Sequence, residues 1–231
     1  MTVTIHQPEY LPYLGFFDRI AKSDVFVILD NAQFQKGGFI NRNKINTATG
    51  WQWITVPLIN KSPHKNIDEI KINNRLDWRK NHWRALKYNY NHAAHFEEYA
   101  DFFEKVYAQN WDIVADLDIF LIKEIMGMLQ LRSRVIMAST LNASGGAAEL
   151  LINICKILGA DTYLSGPGGK LYMDMKRFKE KGIRVLFQEF NHPKYPQAFE
   201  KKAGFIPNLS IVDLLFNCGE KSINIIKGKT I

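Results

Sequence analysis

Cysteine is scarce in this sequence, and neither of its two cysteines stands in a metal-binding or redox pattern. Cys155 and Cys218 lie far apart, without CxxC spacing and without a histidine cluster nearby. Each falls in an apolar helical pattern, where a cysteine is usually a buried thiol. We therefore predict two free buried thiols and no metal site.

A long hydrophobic run is also missing. The best candidate, "IFLIKEIMGMLQL", contains Lys123 and Glu124, whereas a membrane span needs roughly 18 to 20 apolar residues. The start of the chain has no basic region followed by an apolar one, so we expect no secretory signal. These absences predict a cytoplasmic protein without membrane insertion.

Several catalytic signatures are absent as well. The sequence has neither a GxxxxGK[ST] phosphate loop nor a GxGxxG motif, and it lacks a GxSxG elbow and a Cys-His signature. Covalent nucleophilic catalysis therefore has no support. His82, His92 and His95 do not complete an HExxH motif, so they predict no metal centre.

What the sequence does have is a large apolar fraction and a positive charge. With 231 residues, of which 46% are hydrophobic, it can bury the core of one large domain. Its net charge of +7 favours an anionic partner. A nucleic acid is not the expected partner, because the basic and aromatic stretch "DWRKNHWRALKYNYNHAAHF" is more typical of an amphipathic helix. The sequence leaves open whether the protein forms a homo-oligomer.

The order of apolar patterns predicts an α/β fold with a mostly parallel, Rossmann-like sheet. "TVTI", "PYLGFFDRIAKSD" and "VFVILD" read as strand, one-sided helix and strand, which form a parallel βαβ unit. "NKINTATGWQWITVPL" predicts a β-hairpin and "IDEIKI" a further strand. We expect one domain over residues 1–231 with a helical insertion at 74–131, after which strands and helices alternate again, including a helix from about Lys170 to Lys181.

The first candidate site segment is "HQPEYLPY", at the carboxyl end of the first predicted strand. Parallel α/β sheets bind ligands at that edge, so His6, Gln7, Tyr10 and Tyr13 are candidates. The alternative is that His6 binds a loop carbonyl and that the tyrosines cap the core.

The second segment is "DNAQFQKGGFINRNKI", which follows the second strand. Its carboxylate, amides and cations suit a phosphate or carboxylate ligand, and its candidates are Asp30, Asn31, Gln33, Asn41, Arg42, Asn43 and Lys44. The alternative is a solvated connection that begins with an Asx turn.

The third segment is "YLSGPGGKLYMD", in which a glycine-rich turn follows a strand and precedes a helix. Such a turn presents backbone amides to an anion, although a plain tight turn is an alternative. Its candidates are Ser165, Gly166, Gly168, Gly169, Lys170, Tyr172 and Asp174.

These segments together resemble the WbqC-like family, whose members are encoded largely in O-antigen and other surface-polysaccharide gene clusters. The matching pieces are "HQPEYLPYLGFFDRIAKSDVFVILDNAQFQKGGFINRNKI", His82 with "YNYNHAAHF", "ICKILGADTYLSGPGG" and "FIPNLSIVDLLFNCG". The resemblance covers nearly the whole chain. It implies a role in polysaccharide biosynthesis and leaves the reaction open.

The start of the chain is also distantly similar to pantothenate synthetase, an HUP-type, nucleotidylyl-transferase-like ligase that adenylates a carboxylate and passes it to an amine. "NAQF" matches, but Tyr10 and Tyr13 stand where that family has the two histidines of HxGH. A neutral tyrosine donates a hydrogen bond and adds no charge. Any adenylation would therefore depend on His6, Arg42, Lys44 or Lys170.

From this resemblance and the three segments we expect an enzyme that forms an amide on a nucleotide-linked amino sugar. His6, Asp30 and Tyr13 are the expected catalytic residues, with His6 or Asp30 as the base, and the other candidates bind the nucleotide or the substrate. No cofactor is certain, and ATP is a candidate. The alternative is a non-catalytic protein that delivers a nucleotide-linked sugar to a glycosyltransferase.

Overall fold

The computed structural model describes residues 1–59, 64–171 and 173–228, and it forms nine strands and nine α-helices within those ranges. The strands are β1 (Thr2–His6), β2 (Val25–Ile28), β3 (Arg42–Thr47), β4 (Gly50–Thr55), β5 (Leu58–Ile59), β6 (Lys71–Ile72), β7 (Arg134–Met137), β8 (Thr162–Ser165) and β9 (Arg184–Phe187). The helices are α1 (Leu14–Ala21), α2 (Trp78–Tyr90), α3 (Phe96–Ala108), α4 (Val114–Met128), α5 (Ala147–Ile157), α6 (Met175–Glu180), α7 (Glu200–Ala203), α8 (Ile211–Cys218) and α9 (Ser222–Ile226).

Five strands form a parallel sheet in the order β7-β2-β1-β8-β9. From β1 the chain moves outward through β2 to β7, and it then returns to place β8 on the other side of β1. This reversal leaves a crevice at the carboxyl ends of β1 and β8, where open α/β sheets bind ligands. The predicted Rossmann-like α/β fold is confirmed.

Each face of the sheet packs on its own hydrophobic core. Val3 and Ile5 of β1 point into a cluster with residues of α5 and α6. Phe26 and Ile28 of β2 point to the opposite face, into a larger cluster with α1 and the helical layer of α2, α3 and α4. This alternation is the period of two that a strand imposes, and it gives the three-layer arrangement of the fold.

Helix α1 is more buried than an amphipathic pattern predicts. Every residue from Leu14 to Ile20 is buried, including Asp18 and Arg19. The sheet covers one side of the helix, and α9 and the segment around Gln188 cover the others. Both charged side chains therefore need polar partners inside the protein.

Three local elements predicted from the sequence have different outcomes in the structure. The hairpin is confirmed as β3 and β4. The strand predicted at "IDEIKI" is wrong for its first half, because Asn66 and Glu69 form a capping box that starts a 3₁₀ turn at Ile67–Glu69. The helix predicted from about Lys170 begins only at Met175, since Asp174 caps its first turn after a 3₁₀ turn.

The state of the two cysteines agrees with the prediction from the sequence. Cys155 and Cys218 are buried free thiols. Among the residues that the structure describes, no helix is long and apolar enough to cross a membrane.

Asn43 fixes the hairpin to the turn that precedes α1. Its buried Nδ2 donates to the carbonyl of Leu11 at 2.7 Å, and its Oδ1 accepts from the amide of Lys44 at 2.8 Å. Leu11 has a φ of 45°, in the left-handed region that is unfavourable for a leucine. The hydrogen bond from Asn43 therefore stabilises a turn that the backbone alone disfavours.

Replacement of Asn43 by alanine is expected to lower the free energy of unfolding by about 1 to 3 kcal/mol, because buried backbone groups lose their partner. Urea denaturation of the variant and the wild type measures this difference. Thr49→Ala, at the exposed tip of the same hairpin, is the control and should cost at most about 0.5 kcal/mol. Equal effects of the two substitutions would contradict the assignment.

Candidate functional site

A cavity of about 300 Å³ opens at the carboxyl ends of β1 and β8. The turn after β1, helix α1, the loop after β8 and Gln188 after β9 form its walls. Its lining residues are Ile5, His6, Glu9, Tyr13, Gly15, Phe16, Arg19, Phe39, Tyr163, Ser165, Gly166, Pro167, Gly168, Gly169 and Gln188. The first and third predicted segments therefore meet at one edge of the sheet, although they lie far apart in sequence.

His6 is the last residue of β1 and one third of its side chain (33%) is exposed, toward the cavity. Its Nδ1–H donates to the carbonyl of Gln7 at 2.9 Å, which leaves Nε2 as the acceptor nitrogen. Burial lowers the pKa of His6 to about 3, the charge of Arg19 adds to this effect, and the bond to Gln7 opposes it. His6 is therefore neutral at physiological pH.

Glu9 is the cavity carboxyl, and its pKa moves in the opposite direction. Its side chain is 15% exposed, and Oε1 lies 3.9 Å from Nδ1 of His6. Burial raises the pKa of Glu9 to about 7, and Arg19 partly opposes the increase. A histidine and a carboxyl group with opposite pKa shifts in one crevice are typical of acid–base sites.

Arg19 supplies the positive charge of the cavity. It is buried on α1, and its guanidinium lies against Gly166 so closely that a Cβ at Gly166 would collide with it. Its charge affects the pKa values of His6, Glu9 and Tyr13. An arginine in a largely buried wall can bind a phosphate or a carboxylate more strongly than one on the surface.

Gln188 holds α1 in place behind the cavity. Its Nε2 donates to the carbonyl of Gly15 and to Oδ2 of Asp18, both at 2.7 Å. Asp18 also accepts from Lys22 at 2.9 Å. These bonds connect α1 to the end of β9, and so they position Arg19 relative to the glycine-rich loop.

A second cavity of about 490 Å³ adjoins the first. Gln7, Gln35 and residues of α5 line it, and it shares Ile5, His6 and Tyr163 with its neighbour. His6 therefore stands between two spaces, so that two parts of a ligand, or two reactants, can approach it.

Sequence reasoning missed three residues of this site: Glu9, Arg19 and Gln188. Glu9 lies inside the first segment, three residues after His6, and is not among the candidates of that segment. Arg19 carried no sequence signal, because a one-sided helix pattern places a charged residue on the solvent side, whereas the structure buries every residue from Leu14 to Ile20. Gln188 follows a strand and carried no such signal.

Two predicted residues have structural partners instead. Tyr10 is fully buried, and its hydroxyl lies 2.9 Å from Nδ1 of His82 and also contacts the hydroxyl of Tyr107. Both oxygens of Asp30 accept from Ser139, from its amide at 3.0 Å and its hydroxyl at 2.6 Å. Tyr10 therefore belongs to the core, and Asp30 holds the turn after β7.

The run from Asn41 to Lys44 forms part of the hairpin and does not line the cavity. Asn41 donates to the carbonyl of Val56 at 2.7 Å, and Asn43 binds the turn before α1. Arg42 and Lys44 lie over tryptophan rings of β4. The register of β3 with β4 sets the directions of the side chains from Arg42 to Lys44.

None of the remaining candidates in the described residues lines the first cavity. Gln7 lines the second cavity, whereas Asn31 and Gln33 line neither, and Gln33 pairs with Asn66. Lys170 is exposed with its Nζ 5.4 Å from the ring of Phe187, and Asp174 caps α6. Tyr172 lies outside the described residues.

Comparison with known families identifies the chain. The model of the WbqC-like protein family matches residues 7–225. The chain belongs to the WbqC-like family. An uncharacterized protein of Mycobacterium tuberculosis (strain ATCC 25618 / H37Rv), Rv1507c, is 39% identical over 222 residues, which cover 95% of each protein. No solved structure matches the chain.

Glu9→Gln is expected to stabilise this WbqC-like protein at about pH 8.5 and to have little effect below about pH 4. The pKa of Glu9 is about 7 in the folded state against an ordinary value of 4.5, so the folded state binds this proton more tightly than the unfolded chain does. The stability that the proton contributes is full below pH 4.5 and is lost as the pH rises through 7. Its loss amounts to about 3 kcal/mol, because each unit of pKa difference corresponds to about 1.4 kcal/mol.

Urea unfolding of both proteins across this pH range measures the effect. Glu97→Gln, at an exposed position on α3, is the matched control and should show no such pH dependence. A difference between wild type and Glu9→Gln that stays constant with pH would contradict the raised pKa.

Proposed function

We propose that this protein is a cytoplasmic enzyme of surface-polysaccharide biosynthesis that forms an amide on a nucleotide-linked amino sugar. The observation that carries the proposal is the pair of His6 and Glu9, 3.9 Å apart, with opposite pKa shifts beside a buried arginine. The polysaccharide context comes from the family resemblance, and the chemistry comes from the cavity.

Amide formation needs a base, because an amine is mostly protonated at neutral pH. A carboxylate with a pKa of about 7 suits this task, since it is substantially ionised at pH 7 and still binds a proton readily. Glu9 therefore takes the role that the sequence assigned to His6 or Asp30. Neutral His6 accepts a hydrogen bond from the amine through Nε2, and this bond orients the lone pair of the amine nitrogen.

The acyl donor is an activated carboxylate, either a thioester or an acyl phosphate made with ATP. The amine nitrogen forms a bond to the acyl carbon, the bond from that carbon to sulfur or phosphate oxygen breaks, and the amine proton passes to Glu9. Arg19 stabilises the anionic group of the ligand or the charge that develops on the acyl oxygen. Tyr13, whose pKa burial raises, stays neutral and donates a hydrogen bond.

A protein that only binds and delivers the nucleotide-linked sugar would use the same anion-binding edge. It would have no need for a carboxyl group with a pKa of about 7 in the cavity. The Glu9 carboxyl is the feature that favours an enzyme over this alternative.

Glu9→Gln is expected to lower amide formation by about 10²- to 10⁴-fold, with ligand affinity changed by no more than a few-fold. The wild-type rate should rise with pH through about 7 and then level off, because the ionised form of Glu9 is the base. Mass spectrometry detects the amide with a panel of nucleotide-linked amino sugars, acyl thioesters and carboxylates plus ATP.

Thermal-shift measurements on the same panel select the substrates, because a ligand that binds the folded protein stabilises it by an amount that grows with the logarithm of its excess over Kd. Glu97→Gln again serves as the control and should retain wild-type turnover. If ligands bind tightly and no donor gives an amide, the delivery function is the correct one. No stabilisation by any ligand would overturn both.

Gly166→Ala is expected to weaken the binding of the cavity ligand by about tenfold or more, because its Cβ displaces the Arg19 guanidinium. Gly168→Ala is a closely matched control in the same loop, since a Cβ there meets nothing within 4 Å. Isothermal titration with a ligand from the thermal-shift screen compares the two. Equal affinities would contradict the role of Arg19.

A further inference from the structure

The outer face of the β3–β4 hairpin carries three large aromatic rings in contact with solvent. Phe39, Trp51 and Trp53 are each exposed by between a third and a half. Trp51 and Trp53 are two residues apart on β4, so they share a face, while Ile54 points to the core. We name this surface, together with Arg42 and Lys44, the hairpin face.

The rings of the hairpin face form a continuous strip. The centroids of Phe39 and Trp53 are 6.0 Å apart, and those of Trp53 and Trp51 are 5.7 Å apart. Exposure of large aromatic rings to water is unfavourable, so a contiguous exposed group of them indicates a binding surface.

Two cations lie on this strip. The guanidinium of Arg42 is 4.4 Å from the centroid of Trp53, and Nζ of Lys44 is 4.2 Å from that of Trp51. Within the described part of the chain, no acidic residue forms an ion pair with either cation. The hairpin face thus offers two positive charges and flat aromatic surfaces, which is complementary to a ligand with two negative charges and a flat ring.

The strip begins at the cavity of the candidate site. Phe39 lines that cavity and also contacts the ring of Trp53. The cavity volume of about 300 Å³ is at the lower limit for a ligand pocket. A nucleotide-linked sugar whose sugar occupies this space must therefore extend beyond it, and Phe39 leads to the hairpin face.

We propose that the hairpin face binds the nucleoside diphosphate portion of the nucleotide-linked substrate. The base stacks on the tryptophan rings, Arg42 and Lys44 pair with the diphosphate, and the sugar enters the cavity near His6 and Glu9. The identity of the substrate rests on the proposed function, whereas the position of the nucleotide rests on the hairpin face. Continuity with the cavity favours one ligand that occupies both sites over a separate macromolecular partner.

Isothermal titration of the full chain with UDP, GDP, CDP and ADP tests the proposal. For the nucleotide that binds wild type best, Trp53→Ala should weaken affinity by about 5- to 100-fold, the range for loss of one base-stacking ring. Trp53→Phe keeps a ring and should restore most of the affinity. Lys44→Gln should weaken binding several-fold at low salt and less at high salt.

Matched controls separate this effect from general changes of charge and surface. Lys105→Gln removes an exposed lysine on α3, and Ile157→Ala removes an exposed apolar side chain at the end of α5. Both should bind the nucleotide as wild type does. Circular dichroism and thermal unfolding of every variant confirm that it is folded.

Failure of this proposal is distinguishable from failure of the proposed function. Wild-type nucleotide affinity in both Trp53→Ala and Lys44→Gln would overturn the nucleotide position, as would the absence of any nucleoside diphosphate binding to wild type. Amide formation by the wild type, measured separately, then decides the function. A change of oligomeric state in Trp53→Ala with unchanged nucleotide affinity would assign the face to self-association and also overturn the proposal.

Discussion

The parallel pairing of β1 with β8 is the constraint on which the candidate site depends. The register joins Thr2 to Thr162 and Val3 to Tyr163, so residues about 160 positions apart become neighbours. Both strands end at the same edge, because parallel strands share a direction. His6 and the glycine-rich loop thereby face one crevice, and the chain leaves β1 and β8 in opposite directions, so neither connection fills it.

Burial around that crevice shifts the pKa values of its histidine and its carboxyl group. Removal from water disfavours the charged forms of His6 and Glu9, which lowers one pKa and raises the other. The charge of Arg19 opposes the increase in the pKa of Glu9 and adds to the decrease in the pKa of His6. A single cation therefore affects the pKa values of both groups. Gln188 and Asp18 hold α1 so that this cation stays near the glycine-rich loop.

Polar residues near the edge of the sheet divide into two groups with different duties. Asp30, Asn41 and Asn43 bond to backbone or serine groups of neighbouring turns, and Tyr10 belongs to a buried cluster with His82. Glu9, His6 and Arg19 face the cavity instead. The first group keeps the turns in place, because a buried polar backbone group without a partner is costly, and the second group lines the cavity.

The sequence by itself determined the parallel α/β sheet and the hairpin, and it predicted a candidate site at the ends of β1 and β8, because hydrophobic periodicity and glycine-rich turns are local properties. It also placed His6 and Ser165 at that edge. Only the tertiary structure decided which polar side chains face the cavity, since the sequence favoured Asp30 as the catalytic carboxylate and gave no local reason to choose Glu9. Asp30 is turned to Ser139, which is distant in sequence. Glu9 lies near Arg19 because of how α1 packs, and no local pattern encodes either contact.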